Sequence, residues 1–205
     1  TESVRVSRGF AVFIANGCVR KRQYFPSCER LVVLASDAGI VVDRPVIWHK
    51  NAPPNRLDWF GNDWEYCLAF RLKNRKPIFN WESIATSPKY SNGGAFRQRD
   101  SNGDRKIGGK YPTGKLSRPR DVLRVTVGGG HLGSKLAHEN EAPFPEKLVE
   151  PFIKTLTNPG GIVLDPFIGS GTTSAVAKRL CRQSIGIDVR DSQVELSERR
   201  VSSDE

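Results

Sequence analysis

The segment from Ile162 to Asp188 constrains the fold more than any other part of this sequence. A short apolar run, Ile162-Val-Leu-Asp165, leads into a loop with glycines at 169 and 171, and a helical stretch follows. A second apolar run, Ile185-Gly-Ile-Asp188, again ends in a carboxylate. Glycines allow φ > 0 and a close approach of a ligand, and the free N–H groups of a helix start bind polar groups. The segment therefore predicts a β–α–β unit that holds a nucleoside-type ligand, with Asp188 placed to accept hydrogen bonds from ribose hydroxyls.

The residues around the glycines narrow the choice of ligand. No lysine follows them, so the loop is not a GxxxxGK[ST]-type phosphate loop. A dinucleotide fingerprint would have a third glycine where Ser174 stands, and Asp165 would repel a pyrophosphate. A carboxylate there suits a cationic ligand. S-adenosylmethionine offers an ammonium and a sulfonium for Asp165 and a ribose for Asp188, so it is the predicted cofactor. A nicotinamide- or flavin-dependent oxidoreductase and a tight turn without a ligand remain the alternatives.

The flanking sequence has the pattern of an α/β protein. The continuous apolar run at 10–15 predicts a buried parallel strand, and Gly17 predicts a turn from that strand into a helix. Residues 145–157 predict an amphipathic helix with proline in its first turn, and 162–165 a buried strand. Further elements are expected as a helix at 26–38 and strands at 40–42, 46–48 and 65–70.

Positive charge is concentrated in one part of the chain. The net charge of the 205 residues is +10, and residues 89–124 hold ten basic and three acidic groups. This stretch is rich in glycine and poor in apolar residues, which predicts long loops. A strongly basic loop region favours nucleic acid as the partner. A solvated surface excursion is the alternative interpretation.

The other features of the composition exclude several classes. Four cysteines without CxxC spacing and three isolated histidines give no support for a metal site or a disulfide framework. We expect reduced thiols and a cytoplasmic protein. No apolar run is long enough to span a membrane, and the first residues lack the apolar core of a signal peptide.

The residues of the glycine loop and its neighbours resemble those of a known family. Asp165-Pro-Phe-Ile-Gly-Ser-Gly-Thr-Thr173 is similar to the cofactor motif of the DNA amino-methyltransferases, which modify adenine N6 or cytosine N4. Phe144-Pro-Glu-Lys-Leu148 resembles the segment that precedes this motif. Val46-Ile-Trp-His-Lys50 and Trp64-Glu-Tyr-Cys-Leu-Ala-Phe70 resemble strands of the catalytic half, and the order of these segments is similar to the permuted β-type arrangement.

The resemblance implies a Rossmann-like methyltransferase sheet with an inserted, basic, loop-rich target-recognition region. Its parts would be catalytic-half elements at 1–84, the recognition region at 85–135 and the cofactor-binding half at 136–205. The cofactor-binding residues would be Asp165, Phe167, Gly169, Ser170, Gly171, Thr172 and Asp188. The DNA-contacting residues would be Arg97, Arg99, Lys110, Arg118 and Arg120.

A histidine and the tryptophans near these motifs have alternative structural roles. The resemblance implies that the segment from His138 to Phe144 packs by the methionine end of the cofactor, and a loop histidine without direct contact is the alternative for His138. The tryptophans at 48, 59, 64 and 81 are expected in the core or half-buried on strands rather than stacked on bases.

One expected motif is not visible. The family holds the target amine with a polar residue, two prolines and an aromatic ring, but the only Pro-Pro here is Ala52-Pro-Pro-Asn55. In the permuted order the motif would lie before Phe10, and methionine is absent from the sequence, so we expect a chain that begins late. No catalytic residue and no metal ligand is therefore assigned.

The predicted function is transfer of a methyl group from S-adenosylmethionine to an exocyclic amine of a base in double-stranded DNA, adenine N6 being favoured over cytosine N4. The expected setting is a prokaryotic or phage restriction-modification system, and a cognate nuclease and a homodimer are compatible with it. The alternative is a cofactor- and DNA-binding module, or one half of a split enzyme, without its own catalytic motif.

Overall fold

The computed structural model describes residues 2–51, 61–88, 94–110, 115–128, 130–140 and 142–203. The helices are α1 (Glu2–Val6), α2 (Ser27–Asp37), α3 (Glu146–Leu156), α4 (Thr172–Arg179) and α5 (Asp191–Ser202), with 3₁₀ turns at Trp81–Ile84 and Lys135–Glu139. The strands are β1 (Ala11–Ala15), β2 (Cys18–Arg20), β3 (Gln23–Phe25), β4 (Ile40–Val42), β5 (Val46–His49), β6 (Trp64–Leu72), β7 (Ala95–Arg99), β8 (Arg105–Lys110), β9 (Val122–Arg124), β10 (Ile162–Asp165) and β11 (Gln183–Gly186). The chain forms two compact units, one of residues 1–80 and 120–205 and one of residues 81–119.

Strand β6 organises the larger sheet of the first unit. It pairs antiparallel with β1, β4 and β5, and β5 pairs in parallel with β9. Alternate residues of β6 enter two different cores, as the two-residue period of a strand requires. Leu68 and Phe70 pack with α1 and α2, whereas Cys67 packs with Trp48 and with Leu148 of α3.

The second sheet of this unit consists of β10 and β11, which pair in parallel with Asp165 opposite Gly186. Helix α4 connects the two strands. Helix α3 packs on both sheets: Leu148 belongs to the core of the first, and Val149 and Ile153 pack with α4 and β10 in the core of the second. The apolar face of α3 is wide enough for this packing, with Leu148 and Phe152 in the first core and Val149 and Ile153 in the second.

Three expectations about strands are corrected. The run at 10–15 forms β1, but its partner β6 is antiparallel, because an apolar run reports burial and not direction. Gly17 leads into the β2–β3 hairpin rather than directly into a helix. Strand β10 is only half-buried: Val163 faces α3 and α4, while Ile162 is 61% exposed on the other face.

Most of the remaining expected elements are confirmed, but the strand expected at Ile185–Asp188 is shifted, since β11 ends at Gly186. Helix α2, strands β4, β5 and β6, helix α3 and helix α4 all form where the sequence patterns predict them. Pro145 stands at the N-cap of α3, where its missing N–H leaves no helical hydrogen bond unmade. No helix in the described ranges is both long and apolar enough to cross a membrane.

The second unit contains a hairpin in the stretch for which the sequence predicts loops. Strands β7 and β8 pair antiparallel, with a register shift between Phe96 and Arg97. Gly109 allows the ring of Phe96 to pack closely, because a Cβ at that glycine would lie 2.9 Å from the ring. Residues 81–119 thus overlap the predicted recognition region at 85–135, and residues 120–135 belong to the first unit.

Candidate functional site

The loop between β10 and α4 has a backbone conformation that depends on its glycines. Gly169 has φ +49° and Gly171 has φ +79°, both in the left-handed region. A Cβ on Gly171 would also lie 2.9 Å from the Cα of Ser197 in α5. Position 171 is therefore restricted to glycine both by its backbone angle and by its packing.

The carboxylate of Asp165 fixes the start of this loop. Its Oδ1 accepts a hydrogen bond from the backbone N–H of Phe167 (3.0 Å), and its Oδ2 accepts one from the hydroxyl of Thr173 (2.6 Å). The same carboxylate thus connects the end of β10 with the first turn of α4. A carboxylate has about four lone-pair sites, so Asp165 keeps the capacity to accept from a ligand as well.

Asp188 connects the other strand to the same loop. Its Oδ2 accepts from the backbone N–H of Gly169 (3.1 Å), and its Oδ1 accepts from the backbone N–H of Arg190 (3.1 Å). The hydrogen bonds from Arg190 and Gly169 hold the pKa of Asp188 below its usual value. The site therefore presents an ionised carboxylate at neutral pH, which is an acceptor only.

A buried arginine of helix α5 stabilises the glycine loop through hydrogen bonds. Arg200 of α5 is 3% exposed, and its guanidinium donates to the carbonyl and hydroxyl oxygens of Ser170 and to the hydroxyl of Thr172. It also donates to Glu146 at the start of α3 (2.8 Å). Glu146 pairs in addition with Arg179, whose pKa it raises. One guanidinium thus joins α3, the glycine loop and α5.

The segment before α3 packs beside the loop. Ala137 is buried, and the backbone oxygen of Phe144 accepts from the hydroxyl of Thr172 (3.3 Å). The side-chain amide of Asn140 lies 3.0 Å from the position of a Cβ on Gly169. His138 is exposed on the 3₁₀ turn of this segment.

The seven residues predicted to bind the cofactor are brought together, but they do not all face outward. Asp165 and Asp188 converge on the loop through the hydrogen bonds described above. Phe167 is 81% exposed, whereas Ser170 and Thr172 are buried against Arg200. The side chains of Ser170 and Thr172 therefore shape the loop from the inside.

Sequence reasoning missed Arg200 and Glu146. A charged residue on a helix is normally solvated, so neither attracts attention alone. The signal is the spacing in α5: Gln193, Leu196, Ser197 and Arg200 follow the helical period of one buried face, and all four are buried. An arginine in line with a buried leucine is the feature that could have revealed it.

The tryptophans that the structure describes are accounted for by contacts within the protein. Trp48 is buried in the core, and its indole N–H donates to the backbone oxygen of Val125 (2.8 Å). Trp64 packs edge-on against Tyr66. Trp59 and the Pro-Pro segment at 52–55 lie outside the described residues.

The predicted DNA-contacting residues are exposed where their side chains are described. Cross-strand pairing places Arg97 and Arg99 on one face of the β7–β8 hairpin together with Arg105, which makes that face strongly cationic. Arg118 lies over the ring of Trp81 at 4.9 Å. Arg120 is exposed in the first unit, and the side chain of Lys110 is outside the described part.

The parallel β10–α4–β11 unit, with its glycine loop, Asp165 at the end of β10 and Asp188 shortly after β11, is typical of a Rossmann-like α/β protein. A family model described as DNA methylase, of the N6/N4 methyltransferases, matches residues 7–199. The chain therefore belongs to this DNA methylase family, which confirms the resemblance in the sequence.

Relatives and solved structures agree with this assignment. The type II methyltransferase M.HpaI from Haemophilus parainfluenzae is 27% identical over 172 residues, which cover 84% of this chain and 49% of the relative. M.BglII from Bacillus subtilis is 39% identical over 181 residues, which cover 85% and 44%. The chain thus spans about half the length of the curated relatives it matches.

Two solved structures share the fold. The cytosine-N4-specific PvuII DNA methyltransferase has a TM-score of 0.66 at 19% identity, covering 96% of this chain and 65% of that one. The complex of M1.HpyAVI with S-adenosylmethionine has a TM-score of 0.60 at 22% identity, covering 96% and 76%. The predicted methyltransferase-like α/β fold is confirmed.

Proposed function

We propose that this chain binds S-adenosylmethionine and duplex DNA for the transfer of a methyl group to an exocyclic amine of a base, adenine N6 in preference to cytosine N4. The observation that carries the proposal is the glycine loop held between Asp165 and Asp188. Family membership supports it, since the match includes both carboxylates and the loop. We further propose a nuclease of the same specificity as a partner, because the relatives are type II methyltransferases.

The residues fit this cofactor in charge and in hydrogen-bonding capacity. Asp188 is ionised and accepts only, which suits the hydroxyl donors of a ribose. Asp165 adds a second acid beside the loop, which suits a ligand with an ammonium and a sulfonium. The left-handed backbone at Gly169 and Gly171 gives the loop its turn, and the missing Cβ at Gly171 lets the loop pack directly on Ser197 of α5. When bound, the cofactor supplies an electrophilic methyl group.

The protein residues act by binding and orientation. Asp188 would hold the ribose hydroxyls, and the exposed ring of Phe167 would cover one side of the bound ligand. Arg200 would act indirectly, because it fixes Ser170 and Thr172 and hence the loop conformation. Holding a loop before the ligand arrives lowers the entropic cost of binding.

DNA binding is supported by the distribution of charge. The net charge is +10, and Arg97, Arg99 and Arg105 share one face of the second unit. Arginines on an exposed hairpin can bind phosphate oxygens bidentately. Phosphate contacts would position the chain, and base contacts would select the sequence.

Methyl transfer is tested with methyl-labelled S-adenosylmethionine and unmethylated duplex DNA. After digestion to nucleosides, we expect label in N6-methyladenine, and label in N4-methylcytosine would reassign the base. Asp188→Asn should weaken binding of S-adenosylhomocysteine in calorimetry, because an amide places a donor where the ribose needs an acceptor. Asp191→Asn, three residues away on the exposed start of α5, is the matched control and should bind normally.

A second candidate is a binding module or split-enzyme half that holds cofactor and DNA without transferring the methyl group. The observation that favours it is in the sequence, where Pro53-Pro54 lacks both a polar residue before it and a ring after it. Normal binding of S-adenosylhomocysteine without label in DNA would select this candidate. Thermal protection by NAD but not by S-adenosylhomocysteine would instead select an oxidoreductase and refute both proposals.

A further inference from the structure

The hairpin of residues 18–25, hereafter the basic hairpin, has an unusual turn. Strands β2 and β3 pair Arg20 with Gln23, so that Lys21 and Arg22 form a two-residue loop. Both loop residues have positive φ, +50° and +64°. A two-residue turn with φ > 0 at both positions strongly favours Asn-Gly, because glycine has no Cβ and asparagine tolerates the left-handed region better than long side chains do. Two long cationic side chains thus occupy positions at which the backbone disfavours them.

Strain at such positions indicates a role for the side chains. Arg20, Lys21 and Arg22 are three successive cations, and all three are exposed. None of them forms an ion pair with any residue in the described ranges. The hairpin itself contains no acidic residue, so its positive charge is not neutralised locally.

The base of the hairpin is fixed to the rest of the first unit. The hydroxyl of Tyr24 donates to Glu29 of α2 (2.8 Å), and the side-chain amide of Asn16 donates to the backbone oxygen of Trp64 (2.9 Å). A Cβ on Gly17 would lie 2.4 Å from the hydroxyl oxygen of Tyr24, so the ring packs directly on the backbone there. The cations at the tip are therefore presented from an anchored support, which reduces the entropy lost on binding.

We propose that the basic hairpin is a DNA-contacting element, in which Arg20, Lys21 and Arg22 bind backbone phosphates of duplex DNA. A polyanion matches three adjacent, unpaired cations better than a single carboxylate does, and Arg and Lys are the usual donors to phosphate oxygens. The inference rests on the proposed function, which makes duplex DNA the substrate. It adds a phosphate-binding element in the first unit, separate in sequence from the arginines of residues 81–119.

The test uses the double variant Lys21→Asn with Arg22→Gly. It removes two charges and installs the pair that this turn prefers, so its melting temperature should stay equal or rise. Affinity is measured by fluorescence anisotropy with an unmethylated 30-base-pair duplex and S-adenosylhomocysteine, over a range of salt concentrations. We expect weaker binding and a log–log salt slope that is smaller by about 2, since each phosphate contact contributes about 0.9.

The control is Arg8→Gln with Lys147→Gln, which removes the same charge from exposed positions outside the hairpin. It should change the slope by less than half as much. If both double variants change affinity and slope equally, or neither changes them, the proposal is overturned. Should the turn variant fail to fold, Arg20→Gln on β2 provides the same test, with an expected slope change of about 1.

Two further outcomes separate this proposal from the proposed function. If the unaltered chain binds S-adenosylhomocysteine but no duplex DNA, the basic hairpin proposal fails and the cofactor assignment stands. If the chain binds DNA with the expected loss in the turn variant but does not bind S-adenosylhomocysteine, the hairpin proposal stands and the cofactor assignment fails.

Discussion

Replacement of Arg200 by Met tests whether one buried cation holds the glycine loop. Methionine keeps the unbranched apolar stem of the arginine but cannot donate hydrogen bonds. The change removes the donors to both oxygens of Ser170, to the hydroxyl of Thr172 and to the carboxylate of Glu146. These acceptors would then lie in a site that admits little water, because the side chain of Arg200 is only 2% exposed.

The expected loss of unfolding free energy follows from these contacts. Removal of one partner from a buried ion pair usually destabilises a protein by about 3–5 kcal/mol. Glu146 keeps its second partner, Arg179, so the carboxylate is not left without a cation. We therefore expect the lower end of that range, about 3 kcal/mol. With a urea dependence of about 2 kcal/mol per M, the midpoint of unfolding should fall by about 1.5 M.

The assay is urea unfolding followed by tryptophan fluorescence and circular dichroism. Arg199→Met is the matched control, since Arg199 is the preceding residue, its side chain is 58% exposed and it pairs with Glu139 on the surface. An exposed pair contributes about 0–1 kcal/mol, so this variant should shift the midpoint by less than about 0.5 M. Equal midpoints for the two variants would refute the role given to Arg200.

Three further predictions concern the glycine loop, the loss of stability at low pH and a buried thiol. Gly171→Ala should lower the free energy of unfolding, measured by urea titration, by about 2–4 kcal/mol, because a clash with Ser197 adds to the backbone strain. Gly39→Ala is the control: Gly39 has φ +72°, but no atom lies near its Cβ position, so the loss should be only about 1 kcal/mol. Equal losses for the two variants would contradict the packing argument. Because the pKa of Asp188 is lowered in the folded chain, its carboxylate stabilises the fold above the usual pKa of an aspartate, and this stabilisation is lost as the pH falls through the lowered pKa. The difference in melting temperature between the unaltered chain and Asp188→Asn should therefore narrow on acidification. A difference that stays constant with pH would exclude this linkage. Burial raises the pKa of Cys67 to about 12, so this thiol should react with a thiol reagent at pH 8 only after unfolding. The labelled cysteines are located by mass spectrometry, and labelling of Cys67 in the folded chain would contradict its burial.

Local sequence patterns were sufficient for most of the helices and strands. Helix α3 follows from its apolar face and Pro145, and β6 from its apolar run, because each pattern is contained in neighbouring residues. The hairpins at 18–25 and 95–110 were not predicted. Their strands are short and largely exposed, and therefore carry no apolar alternation that distinguishes them from loops.

The direction of β1 could not be predicted from its own residues. A continuous apolar run is typical of a strand covered on both faces, and it is the same for either direction of the neighbouring strand. The antiparallel pairing of Ala11 with Phe70 joins residues that are far apart in the sequence. Only the folded chain specifies such a partner.

Local sequence is sufficient to specify the glycine loop and the two acids that border it. The loop needs left-handed backbone at Gly169 and Gly171 and a carboxylate near the end of each strand. These requirements involve neighbouring residues only, so they are visible as a local sequence motif. The contacts that hold this loop in place depend instead on the assembled fold. Arg200 is about 30 residues away from Ser170 and Thr172 in the sequence, and it contacts them because α5 packs against the loop. A single charged residue in a helix does not by itself indicate such a distant contact. Buried polar contacts between distant segments depend on packing, and packing exists only once the helices and strands have assembled.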